Sequence, residues 1–411
     1  MSPKEEGSRP PQARVNRNSI RILDAALVIL SNEGWGDFTF AHVGRECGLS
    51  PFTIRSRATS PSELAAWLWR DRLAEPAIAL LEGVITALHN AGDPGGSEEF
   101  AVAFRKALVR RPELDAIAEI LVLAHFDSVL AKAVDDTLLV PMRRWCTPSD
   151  QLSADDATRS AYTVSLALGL LLMSRYPWAR DPGLDEALRL RCFALSADVS
   201  YSPLPQADAS HMDERPVLAE DDAALDLLLS TTLETIARKG FDATTVVEVC
   251  ERAGYTEGLA FRRYQTKLDL LIDATRRQDA HGWQANASFM RHIEDAHGLA
   301  VAEAIYLREA LRPGRSIARV MTLEQARLSW HHLRLLNASV DELRQFRARL
   351  LTESGWGEIE TDADFFLDTA APLGCLLLPR MLPESFQLPW NAVTVPLFHA
   401  LRDRAASAGV A

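Results

Sequence analysis

The chain has 411 residues, enough for two or three domains with full cores, and its 47% apolar and 24% charged residues are ordinary for a soluble globular protein. A net charge of −12 excludes wholesale electrostatic coating of nucleic acid but leaves room for a local basic face, because binding follows the field at the contact surface. The longest apolar run, Val164 to Met173, is about half of the roughly 20 residues that span a bilayer, and no charged–apolar–small signal pattern opens the chain, so a cytoplasmic protein is expected.

Residues 1–19 are polar, rich in Pro and Ser, and carry Lys4, Arg9, Arg14 and Arg17; with no apolar face they read as a flexible basic arm. Residues 20–66 open with helical periodicity at Ile22, Leu23, Ala26, Leu27 and Leu30. Thr39 then caps a short helix ending near Cys47, Gly48 stops it, and Ser50 with Pro51 starts another. Ser60-Pro-Ser-Glu63 opens a longer helix, and residues 67–200 keep a helical texture. Residues 201–222, rich in Pro, Ser and Asp, read as a linker. Residues 223–272 repeat the earlier plan: Leu225, Leu228, Leu229, Leu233 and Ile236 on one face, a capping box at Thr245-x-x-Glu248, Gly254, a Thr256 cap, and Thr266-Lys-Leu-Asp269. Residues 273–411 are again helical in texture, and no run alternates as strands do, so the expected fold is all-α.

The two halves keep a common register. Gly34 and Gly240, Thr39 and Thr245, and Gly48 and Gly254 are each 206 positions apart. Near the end of each half GLLLMSR (Gly169–Arg175) answers GCLLLPR (Gly374–Arg380) at an offset of 205. Two fused copies of one all-α unit are therefore expected.

Two short helices joined by a three-residue Gly turn make a helix-turn-helix, whose second helix enters the DNA major groove with its N-terminal residues toward the bases. In the second copy this geometry, together with the resemblance given next, implies DNA contact by Thr245, Thr256, Glu257, Gly258, Ala260, Phe261, Arg262, Arg263, Tyr264 and Lys267. In the first it assigns Thr39, Ser50, Pro51, Thr53, Arg55 and Arg57. The motif in the second copy, Gly240-Phe241, Thr244-Thr245, Ala253-Gly254, Thr256-Glu257-Gly258, Ala260-Phe261, Tyr264 and Thr266-Lys267-Leu268-Asp269-Leu270, resembles the DNA-binding domain of the tetracycline-repressor (TetR) family of bacterial regulators. Phe261 stands where that family usually has Tyr, and Tyr264 where it has Phe. The first copy fits through Gly34-Trp35, Phe38-Thr39, Val43 and Gly48-Leu49-Ser50, then departs: Phe52 replaces the Gly, Arg55 the Tyr, Ala58 the Phe and Pro61 the Lys. Either it reads a different half-site or it has stopped reading DNA.

The resemblance implies a helical regulatory domain in each copy that binds a small effector and dimerises through its last two helices. That role falls on Tyr162–Tyr176 with Glu186–Ala197, and on Asp364–Arg380 with Asn391–Arg404. Aromatic and polar residues of the middle helices are candidate pocket residues: Phe104, His125, Trp145 and Tyr162 in the first copy, and Tyr306, Trp330, His331 and Phe346 in the second. The family binds DNA as two-fold dimers, so this chain is expected to act as an intramolecular pseudo-dimer on double-stranded DNA, with a further homodimer possible. A linker of this length, extended, reaches about 70 Å.

Other chemistry is not legible. The five cysteines, Cys47, Cys146, Cys192, Cys250 and Cys375, form no C-x-x-C pair and read as buried thiols. His331-His332 and His292/His297 lack the i, i+4 spacing of a helical metal site. No Gly-x-Ser-x-Gly elbow or nucleotide-binding glycine loop occurs, so no catalytic residue, cofactor or metal is expected. The alternative function is a sensor or interaction module that keeps the fold without binding DNA.

Overall fold

The computed structural model describes residues 11–174, 176–196, 223–277, 323–328 and 361–377, with a few helical positions between 344 and 352. The expectations for residues 1–10, the 201–222 linker, Tyr306, Trp330, His331, Phe346 and Asn391–Arg404 lie outside the described residues. In chain order the helices are α1 (Pro11–Asn32), α2 (Phe40–Cys47), α3 (Pro51–Arg55), α4 (Pro61–Leu68), α5 (Ala74–His89), α6 (Gly96–Leu108), α7 (Pro112–Leu123), α8 (Ser128–Cys146), α9 (Ala154–Met173), α10 (Leu184–Ser196), α11 (Ala223–Lys239), α12 (Val246–Ala253) and α13 (Glu257–Arg263). They are followed by α14 (267–277), α15 (323–328) and α16, Asp362–Leu377. Among the described residues there is no strand, and no helix is long and apolar enough to cross a membrane.

The chain divides into two compact units, Met1–Ala77 with Arg111–Thr137, and Ile78–Arg110 with Leu138–Ala411. The 66/67 domain boundary expected from the sequence falls inside continuous helix. Residues 61–89 run from α4 through a π-helical stretch at Trp69–Leu73 into α5 without a break. Helix α1 also starts earlier than the sequence suggests, so residues 11–19 of the expected arm are helical. Nothing between Gln12 and Ser19 breaks a helix, and extending an existing helix costs far less than nucleating one.

In the first unit α1 buries Ile22, Leu23, Ala26 and Leu30 of its predicted apolar face and Ile29 beside them, while Leu27 is half-buried. It packs against α2 and α7. Helix α2 is held at both ends. The Thr39 side chain accepts from the His42 N–H at 3.2 Å, and Gly48 adopts φ +63, a left-handed conformation that glycine takes without steric cost. The Arg21 guanidinium closes the same end by donating to the Cys47 carbonyl.

The second unit contains a helix pair with almost no room between its backbones. From Ser160 to Met173 every α9 side chain is buried, and α16 is buried through most of its length. Such all-round apolar helices belong in a core. A Cβ added at Gly169 would lie 1.7 Å from the Ala370 carbonyl oxygen, and one added at Gly374 would lie 1.7 Å from the Ser165 carbonyl oxygen. The partners are related by the sequence register: 370 − 165 = 205 and 374 − 169 = 205. Helix α10 is drawn in by Arg191, fully buried, which donates to the Asp364 carbonyl at 3.2 Å and pairs with Asp368. A cluster of ion pairs, Arg105 with Asp185 and Arg189 with Glu98, ties α10 to α6. All five cysteines are free and buried, and burial pushes the Cys146 and Cys375 thiols up to about 12.

Candidate nucleic-acid interface

The second helix-turn-helix is assembled by local signals in succession. Gly240 ends α11 at φ +83, Thr245 caps α12 by accepting from the Glu248 N–H at 3.2 Å, and Gly254 ends α12 at φ +64. Thr256 caps α13 by accepting from the Leu259 N–H at 3.4 Å. Thr266 and Asp269 form a reciprocal capping box at the start of α14, with N–H to side-chain distances of 3.1 Å in both directions. The two short helices close over one apolar cluster that includes Leu225, Leu228, Val249, Cys250, Ala260, Tyr264 and Leu270.

That packing sorts the predicted contact residues. Ala260 and Tyr264 face inward, 1% and 8% exposed, and the Tyr264 hydroxyl donates to Asp273. Thr256, Glu257, Gly258, Phe261, Arg262 and Arg263 lie exposed along α13 and its cap. Phe261 keeps 50% of its surface in solvent. The neighbouring cations Lys239 and Arg238 engage Glu248, and Arg252 pairs with Glu234 at 3.6 Å. Arg262 makes an Nε bond to its own helix, at the Gly258 carbonyl 3.2 Å away, which leaves its outward side to solvent.

Lys267 points into the protein. Its ammonium donates to the carbonyls of Phe241 at 2.6 Å and Thr244 at 2.9 Å, and lies 4.1 Å from the Phe241 ring centroid. Burial pushes its pKa down. Lys267→Met is expected to lower stability by about 1.5–3 kcal/mol, the worth of charge-assisted hydrogen bonds, as read by chemical denaturation of the full chain. An unchanged midpoint would contradict a structural role for this ammonium.

The first helix-turn-helix has the same frame and a different filling. Ser50 caps α3 by accepting from the Thr53 N–H at 3.2 Å, with Pro51 in the first turn. At the register positions of Cys250, Ala260 and Tyr264 stand Gly44, Ile54 and Ala58, the last two 0% and 2% exposed. A Cβ at Gly44 would lie 2.7 Å from the Leu49 carbonyl oxygen and 3.6 Å from Ile54 Cδ1. Ile54, where the second helix-turn-helix has Ala260, is thus the larger buried side chain and sits against Gly44. On the outside Phe52 is 80% exposed, Arg55 lies 5.7 Å from the Phe40 ring centroid, and Arg57 donates to Ser19.

Among the predicted pocket residues, Trp145 lines a groove of about 840 Å3 together with Glu82, Ile85, His89, Arg143, Arg144 and Leu152. Phe104 and Tyr162 lie in the core, 0% and 1% exposed, with Phe104 packed on Phe100 at 4.6 Å between centroids. His125 is half-buried and does not line this groove. Near the first helix-turn-helix, ligand atoms of Glu33, Asp37 and His42 lie within 4.8 Å of one another. The His42 ring nitrogen sits 3.5 Å from the Glu33 carboxylate.

One pair of residues escapes prediction from the sequence. Glu119 on α7 accepts the Trp35 N–H at 3.0 Å, and Glu324 on α15 accepts the Phe241 N–H at 2.8 Å. Both are carboxylates on buried stretches of helix, 1% and 0% exposed. Their separation, 324 − 119 = 205, is the only trace of the pair that the sequence carries.

Residues 228–274, from α11 to α14, match the sequence profile of the bacterial regulatory proteins of the tetR family. No curated protein matches the chain.

Proposed function

We propose that the chain is a DNA-binding transcription regulator, a ligand-responsive repressor that works as an intramolecular pseudo-dimer. The observation that carries DNA binding is the capped second helix-turn-helix, which turns Arg262 and Arg263 outward on the very segment that matches a family of DNA-binding regulators. The pseudo-dimer rests on the reciprocal approach of α9 and α16, where Gly169 meets Ala370 and Gly374 meets Ser165. A chain that carries both partners of a two-fold contact needs no second copy to present two reading helices. It is also free to read two different half-sites through α3 and α13.

The groove beside Trp145 serves as the effector site. Ile85, Trp145 and Leu152 line it together with Glu82, His89, Arg143 and Arg144, a mixed apolar and charged lining that suits an amphipathic molecule. Occupancy would act by favouring one arrangement of the reading helices over another.

The test is duplex binding by the purified chain as a function of salt. Neutralising several phosphates gives a log–log slope of about −0.9 per contact, so four to six contacts predict a slope between about −3.6 and −5.4. Binding that is absent at low salt would favour the sensor reading, in which the fold persists without nucleic acid.

A further inference from the structure

We infer that Glu119 and Glu324 are positioning residues for DNA reading, each fixing the turn that leads into the first helix of its helix-turn-helix. This rests on the DNA-binding reading above. Gly34 and Gly240 end α1 and α11 in left-handed backbone, φ +81 and +83, and their own N–H groups bond back to Ile29 and Ile236. The next N–H, on Trp35 or Phe241, has left the helix and has no carbonyl of its own turn to meet. A carboxylate 84 or 83 positions along the chain accepts it, from α7 in one copy and α15 in the other. Four residues later comes the Thr39 or Thr245 cap, and the short helix it starts carries the reading helix.

The same hydrogen bond therefore occurs twice, between residues related by offsets of 206 for the turn and 205 for the glutamate. It joins parts that the sequence assigns to different domains. Burying a carboxylate is costly unless it is well bonded, and an apolar residue of similar size is the cheaper filler for a core helix. In the second copy the charge is balanced. Arg327, itself buried, donates to Glu324 at 2.6 Å and to Asp242 at 2.8 Å, so one guanidinium grips both the glutamate and the turn. Lys267 holds the far side of that turn through the Phe241 and Thr244 carbonyls. Leu328, one residue past Arg327, packs with Ile236, Phe241, Leu271 and Ile272. The first copy keeps the glutamate but has Val122, Gly36 and Pro61 at the register positions of Arg327, Asp242 and Lys267. The glutamate is the part of the arrangement common to both.

Base reading tolerates displacements of only about 0.5 Å, so a turn released from its glutamate costs discrimination before it costs folding. The experiment uses the full chain as wild type, Glu324→Gln and Glu324→Ala. Two readouts are taken: amide exchange at Phe241, and binding to the tightest duplex enriched from a random pool beside a scrambled duplex. For Glu324→Ala, exchange at Phe241 rises about a hundredfold while amides of the α11 interior stay protected. Affinity for the selected duplex falls about tenfold or more, and affinity for the scrambled one changes less than about threefold. Glu324→Gln, which keeps an acceptor oxygen, recovers most of both and serves alone if the alanine variant does not fold. Unchanged Phe241 exchange in the alanine variant, or equal loss on both duplexes, would overturn the positioning role. Wild type that binds neither duplex at low salt instead overturns the DNA-binding reading, a result distinct from variants that bind as tightly as wild type.

Discussion

Gly374→Ala is expected to destabilise the second unit by about 3 kcal/mol or more, although alanine is intrinsically the better helix former by about 1 kcal/mol. The steric term decides the sign. The new Cβ would lie 1.7 Å from the Ser165 carbonyl oxygen, a backbone atom that no side-chain rotamer can move. Helices α9 and α16 must separate, and every buried contact along Ser160–Met173 loosens with them. Gly169→Ala should behave alike, because its Cβ meets the Ala370 carbonyl oxygen at the same 1.7 Å. Gly83 in the exposed part of α5 is the control: nothing lies within 4 Å of its added Cβ, so Gly83→Ala should stabilise slightly. In thermal unfolding, the two seam variants should melt at least about 6 °C below wild type and the control at or above it. A seam variant that melts with wild type would show that this helix pair is not held at backbone contact.

Arg262→Ala/Arg263→Ala should weaken duplex binding by about thirtyfold or more near physiological salt, since loss of two phosphate or base contacts at 1 kcal/mol or more each multiplies. The salt slope should flatten by about two units if both arginines meet phosphates. Stability should hardly change, because both side chains are exposed on α13 and outside the apolar cluster. This separates them from Lys267, whose ammonium is committed to the turn carbonyls and whose loss should reduce stability as well. A double variant that keeps wild-type affinity would remove α13 from the interface.

The frame of each helix-turn-helix was legible because its signals are local. Thr39, Gly48, Ser50, Thr245, Gly254 and Thr256 each act on backbone within a few residues, and all six cap where their spacing says they should. The orientation of side chains was less legible. Tyr264 and Lys267 sit at positions that look like contact residues on a helix drawn alone, yet the packing of α11 and α14 turns the first inward and the Phe241 turn captures the second. Phe104 and Tyr162 show the same limit for pockets, since a 3.6-residue period marks an apolar face without saying whether core or cavity lies behind it. Glu119 and Glu324 were out of reach, because a carboxylate in a helical run carries no mark of a backbone N–H more than 80 residues away.

The measurement that bears most directly on the pseudo-dimer is selection of bound duplexes from a random pool. Wild type is run beside Arg262→Ala/Arg263→Ala and Arg55→Ala/Arg57→Ala. A pseudo-dimer predicts a two-part motif, its halves about one helical turn apart, with one half lost in each double variant. A motif lost only with Arg262 and Arg263 would contradict it, leaving the first copy as a scaffold around a single reading helix.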